Sequence, residues 1–474
     1  MLKGRKQNMK NSWLRKCMIL GTIIVLVGTS VVSAMSRNVS IDSKLLNRGN
    51  TLYVGGSGPG NYSKIQDAIK NSSDGDIVFV YSDSSPYIEN IKVYSEIKLI
   101  GEDKNSTEIK GLDPNDEVIA ITTADFVTIS GFTISNGNKN NVPMVQIYSS
   151  YNSISGNIFE DNESIFKTYD IGVAVTSSSH ACMINDNIFQ NTSKGINIGG
   201  SSLNEIYNNS FFSNDFGIII NGGMTNTISN NTFIDGYWGI SISHCNSSKV
   251  VDNVLISYQY EGIEIYSHCS KNKILRNNIS LCGDGISVDF LCDNNKVQNN
   301  SLQQNICGIL VGYLCDYNVL ENNKIIDNQQ YGIGVLGSYN KIRFNVIKDN
   351  EEVGILISGE NNDISYNTIE NNGKGVYLQQ DSNYNMITFN NFINNNGFFM
   401  YSFKDRWSKN NVWDNNYWDS LNGNVKIIVG RLKILLYTWT DWFSRQTYEI
   451  ALYPKRFNFD MHPAQEPYDI PRMS

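Results

Sequence analysis

Proline is scarce in this sequence: the chain has 474 residues and 8 prolines, and none lies between Pro143 and Pro454. Proline lacks a backbone N–H and is therefore kept out of the interior of hydrogen-bonded sheets. The long proline-free stretch favours a fold in which every backbone N–H joins a ladder.

Positive charge is in the minority. Lys and Arg number 38 against 46 Asp and Glu, which gives a net charge of −8 and a pI of about 5.2. The basic residues form no stripe along the sequence, whereas surfaces that bind nucleic acid are normally rich in positive charge. We therefore expect no nucleic-acid partner.

Familiar catalytic signatures are also missing. The sequence contains no Ser-His-Asp order, no zinc-protease helix and no phosphate-binding loop. It lacks a paired-Asp signature of the polygalacturonase type, and no Arg or Lys is placed beside a carboxylate cluster as a polysaccharide lyase needs. Short motifs therefore assign no reaction.

A repeating Asn dominates what is present. It returns about every 22 residues, with an aliphatic residue three places before it and, except at Ser280, an apolar residue two places after it. The column consists of Asn157, Asn187, Asn209, Asn231, Asn253, Asn278, Asn300, Asn323, Asn345, Asn367 and Asn390. A second column, Gly followed by alternating apolar residues, keeps the same period at Gly195, Gly217, Gly239, Gly262, Gly285, Gly308, Gly332, Gly354 and Gly375.

The period points to strands. A repeat of about 22 residues is too short for two helices and carries alternating runs such as GIEI at 262–265, so each repeat should contain a few short strands. Strands of successive repeats would pair in parallel roughly 4.8 Å apart, which predicts an all-β parallel β-helix, a solenoid with an aliphatic and aromatic interior. Asn tolerates the left-handed conformation of a corner and can bond to the Asn above and below it. The Asn column is therefore predicted to be structural.

The start of the chain has the order of an export signal. Basic residues precede an apolar run from Met18 to Val32, and small residues follow at Val32, Ser33 and Ala34. Residues 1–34 are therefore either a cleaved signal peptide or an uncleaved membrane anchor, which would be the chain's only contact with a membrane. Both alternatives place the protein outside the cytoplasm, in the periplasm, at the cell surface or in the medium. Residues 35–50 are predicted to be a linker.

Residues 51–114 are predicted to form an N-terminal cap and the first strands. A helix is expected from Tyr62 to Asn71, with Ser63 as its N-cap and Gln66 completing a capping box. Such a helix would cover the open end of the solenoid.

The β-helix is assigned to residues 115–400, and a C-terminal cap and tail to residues 401–474. This last region is rich in Trp and is either a second lid or a platform for stacking sugars. Its tryptophans are Trp407, Trp413, Trp418, Trp439 and Trp442.

Five runs near the start of the chain resemble a known family. They are 65–69 (IQDAI), 74–80 (DGDIVFV), 87–91 (YIENI), 97–102 (IKLIGE) and 125–134 (DFVTISGFTI). These runs are similar to the opening of right-handed parallel β-helix proteins of the NosD-like periplasmic copper-binding group. The resemblance implies a right-handed β-helix outside the cell, in a superfamily that mixes carbohydrate-binding proteins, sugar hydrolases, lyases and epimerases with proteins of no known activity.

Four cysteines occupy one column of the repeat: Cys245, Cys269, Cys292 and Cys315. One interpretation is a stack of small buried thiols, in a slot that Ser202, Ser338 and Ser382 fill in other repeats. A second is disulfides joining Cys245 to Cys269 and Cys292 to Cys315, since neighbouring strands bring Cα atoms within disulfide range.

A third interpretation of the cysteine column is a metal site. His244 and Cys245 recur one repeat later as His268 and Cys269, and imidazole and thiol donors suit copper or zinc. Consecutive strand residues face opposite ways, so this site requires the backbone to turn there.

A candidate binding and catalytic patch lies on the predicted outer face. Alternation in the strands after the Gly column places Glu264, Tyr266 and Asp289 together. Tyr237, Trp238 and Tyr260 lie at the turn before them, and Tyr266 belongs to both groups. Carboxylates would serve acid–base chemistry or hold calcium, and aromatic rings would stack on sugars.

Three functions remain open at this point. The first is an exported β-helix that binds or processes surface polysaccharide; if it is an enzyme, it is a lyase, hydrolase or epimerase. The second is a structural or adhesive protein whose partners are envelope components. The third is copper handling, as the resemblance implies.

Overall fold

The structure is a computed structural model. It describes residues 49–135, 142–160, 170–379, 382–395, 399–402, 410–419, 426–432, 434–440, 447–452, 455–460 and 462–470, all within one compact unit, Gly49–Ser474. The predicted signal and most of the predicted linker lie outside these residues. No helix in the described ranges has the length and apolar character needed to cross a membrane.

Successive turns of the chain, here called rungs, stack by parallel strand pairing, which confirms the predicted all-β parallel β-helix. Each rung contributes a short strand to each of three walls. The first wall is a 16-stranded sheet. Its strands are Thr51–Val54, Ile77–Val80, Lys98–Gly101, Thr128–Ser130, Ser153–Ser155, Met183–Asn185, Glu205–Tyr207, Thr227–Ser229, Lys249–Val251, Lys273–Leu275, Lys296–Gln298, Val319–Glu321, Lys341–Arg343, Asp363–Ser365, Met386–Thr388 and Val412–Asp414.

The second and third walls form one 29-stranded sheet, because two long strands, Ser210–Asn221 and Thr232–Ser243, continue round the corner between them. The second wall also contains Tyr87–Ile88, Glu108–Lys110, Thr133–Ser135, Ile158–Glu160, Ile188–Gln190, Val254–Tyr258, Asn278–Ser280, Ser301–Gln303, Lys324–Ile326, Val346–Lys348, Thr368–Glu370, Asn391–Ile393 and Tyr417–Trp418. The third contains Ile91–Val93, Ile119–Ile121, Pro143–Ile147, Ile171–Val175, Lys194–Gly199, Ile263–Tyr266, Asp284–Asp289, Cys307–Val311, Tyr331–Val335, Val353–Ile357, Val376–Leu378, Phe399–Ser402, Lys426–Leu432 and Lys455–Asp460. Ile434–Thr440 and Thr447–Leu452 pair separately.

The predicted N-terminal helix is present but shorter, Ile65–Lys70, and a 3-10 turn follows at Ser82–Ser84. Its buried face packs against the first strands of the first and third walls. The predicted capping box is wrong. The carboxylate of Glu89 accepts hydrogen bonds from the backbone N–H groups of Ile65 and Gln66 at 2.8 and 3.1 Å, so a distant residue caps the helix and Ser63 does not.

The interior is a column of apolar side chains repeated rung by rung. Four phenylalanines, Phe159, Phe189, Phe211 and Phe233, stack with ring centroids 4.7, 4.9 and 4.5 Å apart. The Gly column lies where the wall touches this core: a Cβ at Gly308 would be 2.5 Å from the carbonyl oxygen of the next glycine in the column. Close packing between rungs therefore explains the repeating Gly.

The predicted Asn ladder is present at the corner between the first and second walls. In each rung the backbone N–H of the Asn donates to Oδ1 of the Asn one rung on, at 2.9 to 3.1 Å from Asn157 to Asn390. The left-handed conformation, however, belongs to the residue before each ladder Asn, such as Arg276 and Asn299.

One member of the predicted ladder is wrong. Asn277 takes the place assigned to Asn278, which is an exposed strand residue. The shift removes the exception at Ser280, because the residue two places after Asn277 is the buried Ile279. The rung between Asn253 and Asn277 has 24 residues, and the added residues displaced the sequence alignment by one.

Two further ladders were not predicted. One lies five residues before the first ladder and includes Asn204, Asn226, Asn272, Asn295, Asn318, Asn340, Asn362 and Asn385, with Ser248 in one rung. The other lies five residues after it and includes Asn214, Asn305, Asn328, Asn350 and Asn372. Stacked amides therefore satisfy buried backbone groups at all three corners.

The repeat continues beyond residue 400. Trp413 and Trp418 pair in register with Ile387 and Phe392 and are buried, with 5% and 2% of their surfaces exposed. Neither is available for stacking on a sugar. Trp407 and Trp442, and the side chain of Trp439, lie outside what the structure describes, so the proposed second lid stays a prediction.

Candidate functional site

The third ladder is interrupted in three successive rungs. Gly236, Tyr258 and Cys282 take the positions between Asn214 and Asn305. The Tyr258 ring fills the space beside Gly236, where a Cβ would lie 2.6 Å from it. Among the described residues, the buried Tyr258 hydroxyl has no hydrogen-bond partner. We expect function near these three rungs, because sites where a sequence breaks its own structural pattern are often functional.

An aromatic stack crosses the third wall beside the interruption. Phe216, Trp238 and Tyr260 stack with ring centroids 4.6 and 4.5 Å apart, and Tyr237 lies 6.1 Å from Tyr260. Tyr260 is 43% exposed. Gly283 follows Tyr260 at the equivalent position one rung on. The stack therefore ends at the tyrosine ring.

Two carboxyl groups lie in the rungs after Trp238, at the register position of its ring, and neither was predicted from the sequence. Glu261 takes the position after Trp238, and Asp284 follows one rung on, where its carbonyl accepts the Gly262 N–H at 2.9 Å. Burial and, to a lesser degree, Glu264 and Asp284 raise the pKa of Glu261. Burial also raises the pKa of Asp284. Among the described residues, the buried Glu261 Oε2 has no hydrogen-bond partner.

The predicted candidates lie beside this pair. Glu264 is the register partner of Ser241, whose hydroxyl donates to its Oε2 at 2.7 Å. Tyr266 and Asp289 are register partners, as expected from alternation. We refer to Trp238, Tyr260, Glu261, Glu264, Tyr266 and Asp284 as the lateral patch.

Both predicted histidines lie at the far edge of the same wall. His244 and His268 are exposed, with ring centroids 5.7 Å apart, and the Ser267 hydroxyl lies 3.3 and 3.1 Å from one nitrogen of each ring. Phe290 packs edge-on against His268 and stacks on Tyr266. The side chains that end this wall therefore form a mixed aromatic and imidazole cluster.

The cysteine column is a stack of free thiols, so the proposed disulfides are not formed. The sulfurs of Cys269, Cys292 and Cys315 each accept the backbone N–H of the cysteine one rung before, at 3.3, 3.3 and 3.4 Å. In-register side chains point the same way and therefore act as ladder acceptors. Ser382 shares this slot, but Ser202 and Ser338 do not: the buried residue there is Ser201 in one case and Gly337 in the other.

The predicted metal site is also wrong. The corner has left-handed backbone at His244 and His268, which leaves the imidazoles exposed while Cys245 and Cys269 point into the core. No cluster of three or more His, Cys, Asp or Glu side chains in the described part of the chain fits a metal ion. The donor set that the resemblance suggests for copper therefore does not converge, and neither does a carboxylate set for calcium.

A sequence signal for the missed residues does exist. Phe216, Trp238, Glu261 and Asp284 all directly precede members of the Gly column, a position that alternation places on the outer face. Comparing that position between repeats would have brought the aromatic and acidic residues together.

Two family models match the chain. One, described as a right handed beta helix region, matches residues 8–233 and 171–321. The other, described as periplasmic copper-binding protein (NosD), matches residues 256–424. No curated protein matches the chain.

Several solved structures are similar to the chain. A PL6 alginate lyase in complex with a trisaccharide has a TM-score of 0.51 at 14% identity, over 69% of this chain and 88% of that one. A mannuronan C-5 epimerase A-module of Azotobacter vinelandii has a TM-score of 0.41 at 14% identity, over 73% and 93%. The periplasmic alginate epimerase AlgG has a TM-score of 0.41 at 14% identity, over 72% and 82%. At such identities the likeness extends to the fold alone.

Proposed function

We propose that this chain, which belongs to the right-handed β-helix family, binds polysaccharide through the lateral patch on its third wall. The observation that carries the proposal is the half-buried aromatic stack whose last ring, Tyr260, is exposed beside Glu261 and Asp284. Aromatic faces bind the apolar faces of sugar rings, and carboxyl groups hydrogen-bond to sugar hydroxyls.

The raised pKa values favour a sugar as the ligand. A carboxylate accepts hydrogen bonds from sugar hydroxyls, and a raised pKa extends the pH range over which the protonated form can also donate one. Trp238 is also held between Phe216 and Tyr260 in the rungs on either side, so its ring loses little conformational freedom when a ligand binds.

The third wall gives a polymer room to bind. Tyr266, Phe290 and the two histidines continue the exposed aromatic surface at the far edge of the same rungs. A chain of sugars crossing from Tyr260 to Tyr266 would therefore contact side chains along its whole path. The signal-like start of the sequence favours export, so we propose that this polymer lies at the cell surface or in the periplasm.

Binding is tested on a glycan array of acidic and neutral polysaccharides. We expect the wild-type protein to bind a subset of them, and Trp238→Ala and Tyr266→Ala each to reduce that binding about tenfold or more, the loss of one ring contact. An unchanged array pattern in both variants would refute the lateral patch, and an empty array would refute polysaccharide binding.

Catalysis is a separate question with its own test. The array ligand is incubated with wild-type protein, and released reducing ends and unsaturated sugars are measured. If either appears, Glu261→Gln and Glu264→Gln should abolish it while binding persists. An active enzyme that tolerates both changes would show that the reaction takes place elsewhere.

A further inference from the structure

Three lysines form a vertical file on the first wall. Lys249, Lys273 and Lys296 each begin a strand of that wall, and they pair in register from one rung to the next. All three are exposed. The strands of neighbouring rungs lie about 4.8 Å apart, so three ammonium groups project from one line parallel to the solenoid axis.

The file extends beyond these three residues. Lys271, exposed at the preceding corner, adds a fourth positive charge beside Lys273. Further along the same line, Val319 separates Lys296 from Lys341. No basic stripe is visible in the linear sequence, because 24 and 23 residues separate the partners and only the rung register aligns them.

No carboxylate in the described part of the chain neutralises the file. Lys249, Lys271, Lys273 and Lys296 make no ion pair there. Three of the acidic groups on these rungs have other partners: Asp252 binds Arg276 and Glu321 binds Arg343, each at 2.8 Å, and Asp293 accepts the backbone N–H of Asp316. Glu205 lies on the line of the file, two rungs before Lys249. Like charges stacked in register repel each other. The repulsion between these ammonium groups destabilises the folded protein, and a bound anion would relieve it.

We propose that this lysine file binds a linear polyanionic polysaccharide, one with a carboxylate on each successive sugar, aligned with the solenoid axis. An evenly spaced row of charges matches repeating anions, whereas a single small anion would contact one or two lysines. Val251 and Leu275, half-buried on the same face two residues along, supply apolar surface for the sugar rings. The net charge of −8 opposes the approach of any polyanion, and it opposes nucleic acid most strongly because the charge of nucleic acid is denser.

This inference rests on the proposed function for the class of ligand, and it adds the ligand's charge and a second binding face. The file lies on the first wall and the lateral patch on the third. Separate substitutions can therefore distinguish the two sites.

The test is affinity electrophoresis of the full chain through gels that contain polygalacturonate or neutral dextran. The variant carries Lys249→Gln, Lys273→Gln and Lys296→Gln. Its control carries Lys64→Gln, Lys70→Gln and Lys324→Gln, which remove the same charge from exposed lysines off the line of the file. We expect the file variant to bind polygalacturonate about tenfold more weakly, with less dependence on salt, and the control to match the wild type.

Equal retardation of the file variant and the control in polygalacturonate would overturn the proposal. So would an equal loss of dextran binding, or inorganic polyphosphate that competes as well as polygalacturonate does. Loss of polygalacturonate binding in the file variant, with unchanged binding in Trp238→Ala, would support the lysine file and refute the lateral patch. The reverse pattern would support the patch and refute the file.

Discussion

The side-chain amide of Asn277 lies directly beneath that of Asn300, and the Asn300 Oδ1 accepts both the backbone N–H and Nδ2 of Asn277, at 2.9 and 3.0 Å. Asn277 in turn accepts the backbone N–H of Asn253 at 3.0 Å, and its Nδ2 donates to the Val250 carbonyl. One side chain thus joins three rungs.

Asn277→Ala should therefore destabilise the protein by about 3–5 kcal/mol, because it leaves buried backbone groups of two rungs unpaired. Asn278→Ala, one residue along on an exposed strand position, should change the free energy of unfolding by less than about 0.5 kcal/mol. Urea denaturation of the two variants measures the difference. Similar losses in both would mean that the ladder does not follow this register.

A second prediction concerns the N-terminal helix. Glu89→Ala removes the carboxylate that accepts the N–H groups of Ile65 and Gln66, and should destabilise the helix by about 1–2 kcal/mol. Hydrogen exchange of the amides in residues 65–70 should then be faster. Ser63→Ala is the control and should leave those exchange rates unchanged; faster exchange in the control would restore the predicted capping box.

The cysteines provide a third prediction. The seven in the described part of the chain are buried free thiols, and burial raises the pKa of Cys245 to about 12. Iodoacetamide at neutral pH should modify none of them in the folded protein, since burial keeps the reagent away from all seven sulfurs. Denaturation without a reducing agent should expose all seven to modification, as counted by mass spectrometry. A pair that becomes reactive only after reduction would reveal a disulfide.

The lateral patch makes stability depend on pH. Because the pKa of Glu261 is raised in the folded protein, the folded state binds a proton more tightly than the unfolded state. Its contribution to stability is complete below the ordinary Glu pKa, about 4.3, and is lost as the pH rises through the folded value. Glu261→Gln should therefore raise the melting temperature at pH 7 and have less effect at pH 4. A stabilisation that grows as the pH falls would contradict this sign.

The sequence was sufficient for the repeat, because Asn and Gly recur for reasons that every rung shares: a buried amide ladder and close contact between rungs. It was not sufficient for register. Rungs of 22, 23 and 24 residues cannot be aligned from spacing alone. For this reason the sequence pattern assigned Asn278 to the ladder where the structure has Asn277, and Ser202 to the cysteine column where the structure has Ser201.

Only part of the candidate site could be predicted from the sequence, again because the register between rungs is not visible there. Glu264, Tyr266 and Asp289 follow from alternation within a strand, which is local. Glu261, Asp284 and the lysine file depend on which residues meet across rungs, and the orientation of His244 and Cys245 depends on a left-handed corner that the sequence does not mark.

Calorimetric titration of the array ligand into two matched double variants is the most direct test of the polysaccharide-binding face. One carries Trp238→Ala and Tyr260→Ala, and the other Tyr317→Ala and Tyr339→Ala, an exposed pair stacked at 5.1 Å on a different corner. We predict that the first variant loses about 2 kcal/mol or more of binding free energy and that the second binds as the wild type does. Equal affinity in the two variants would contradict the assignment of binding to the lateral patch.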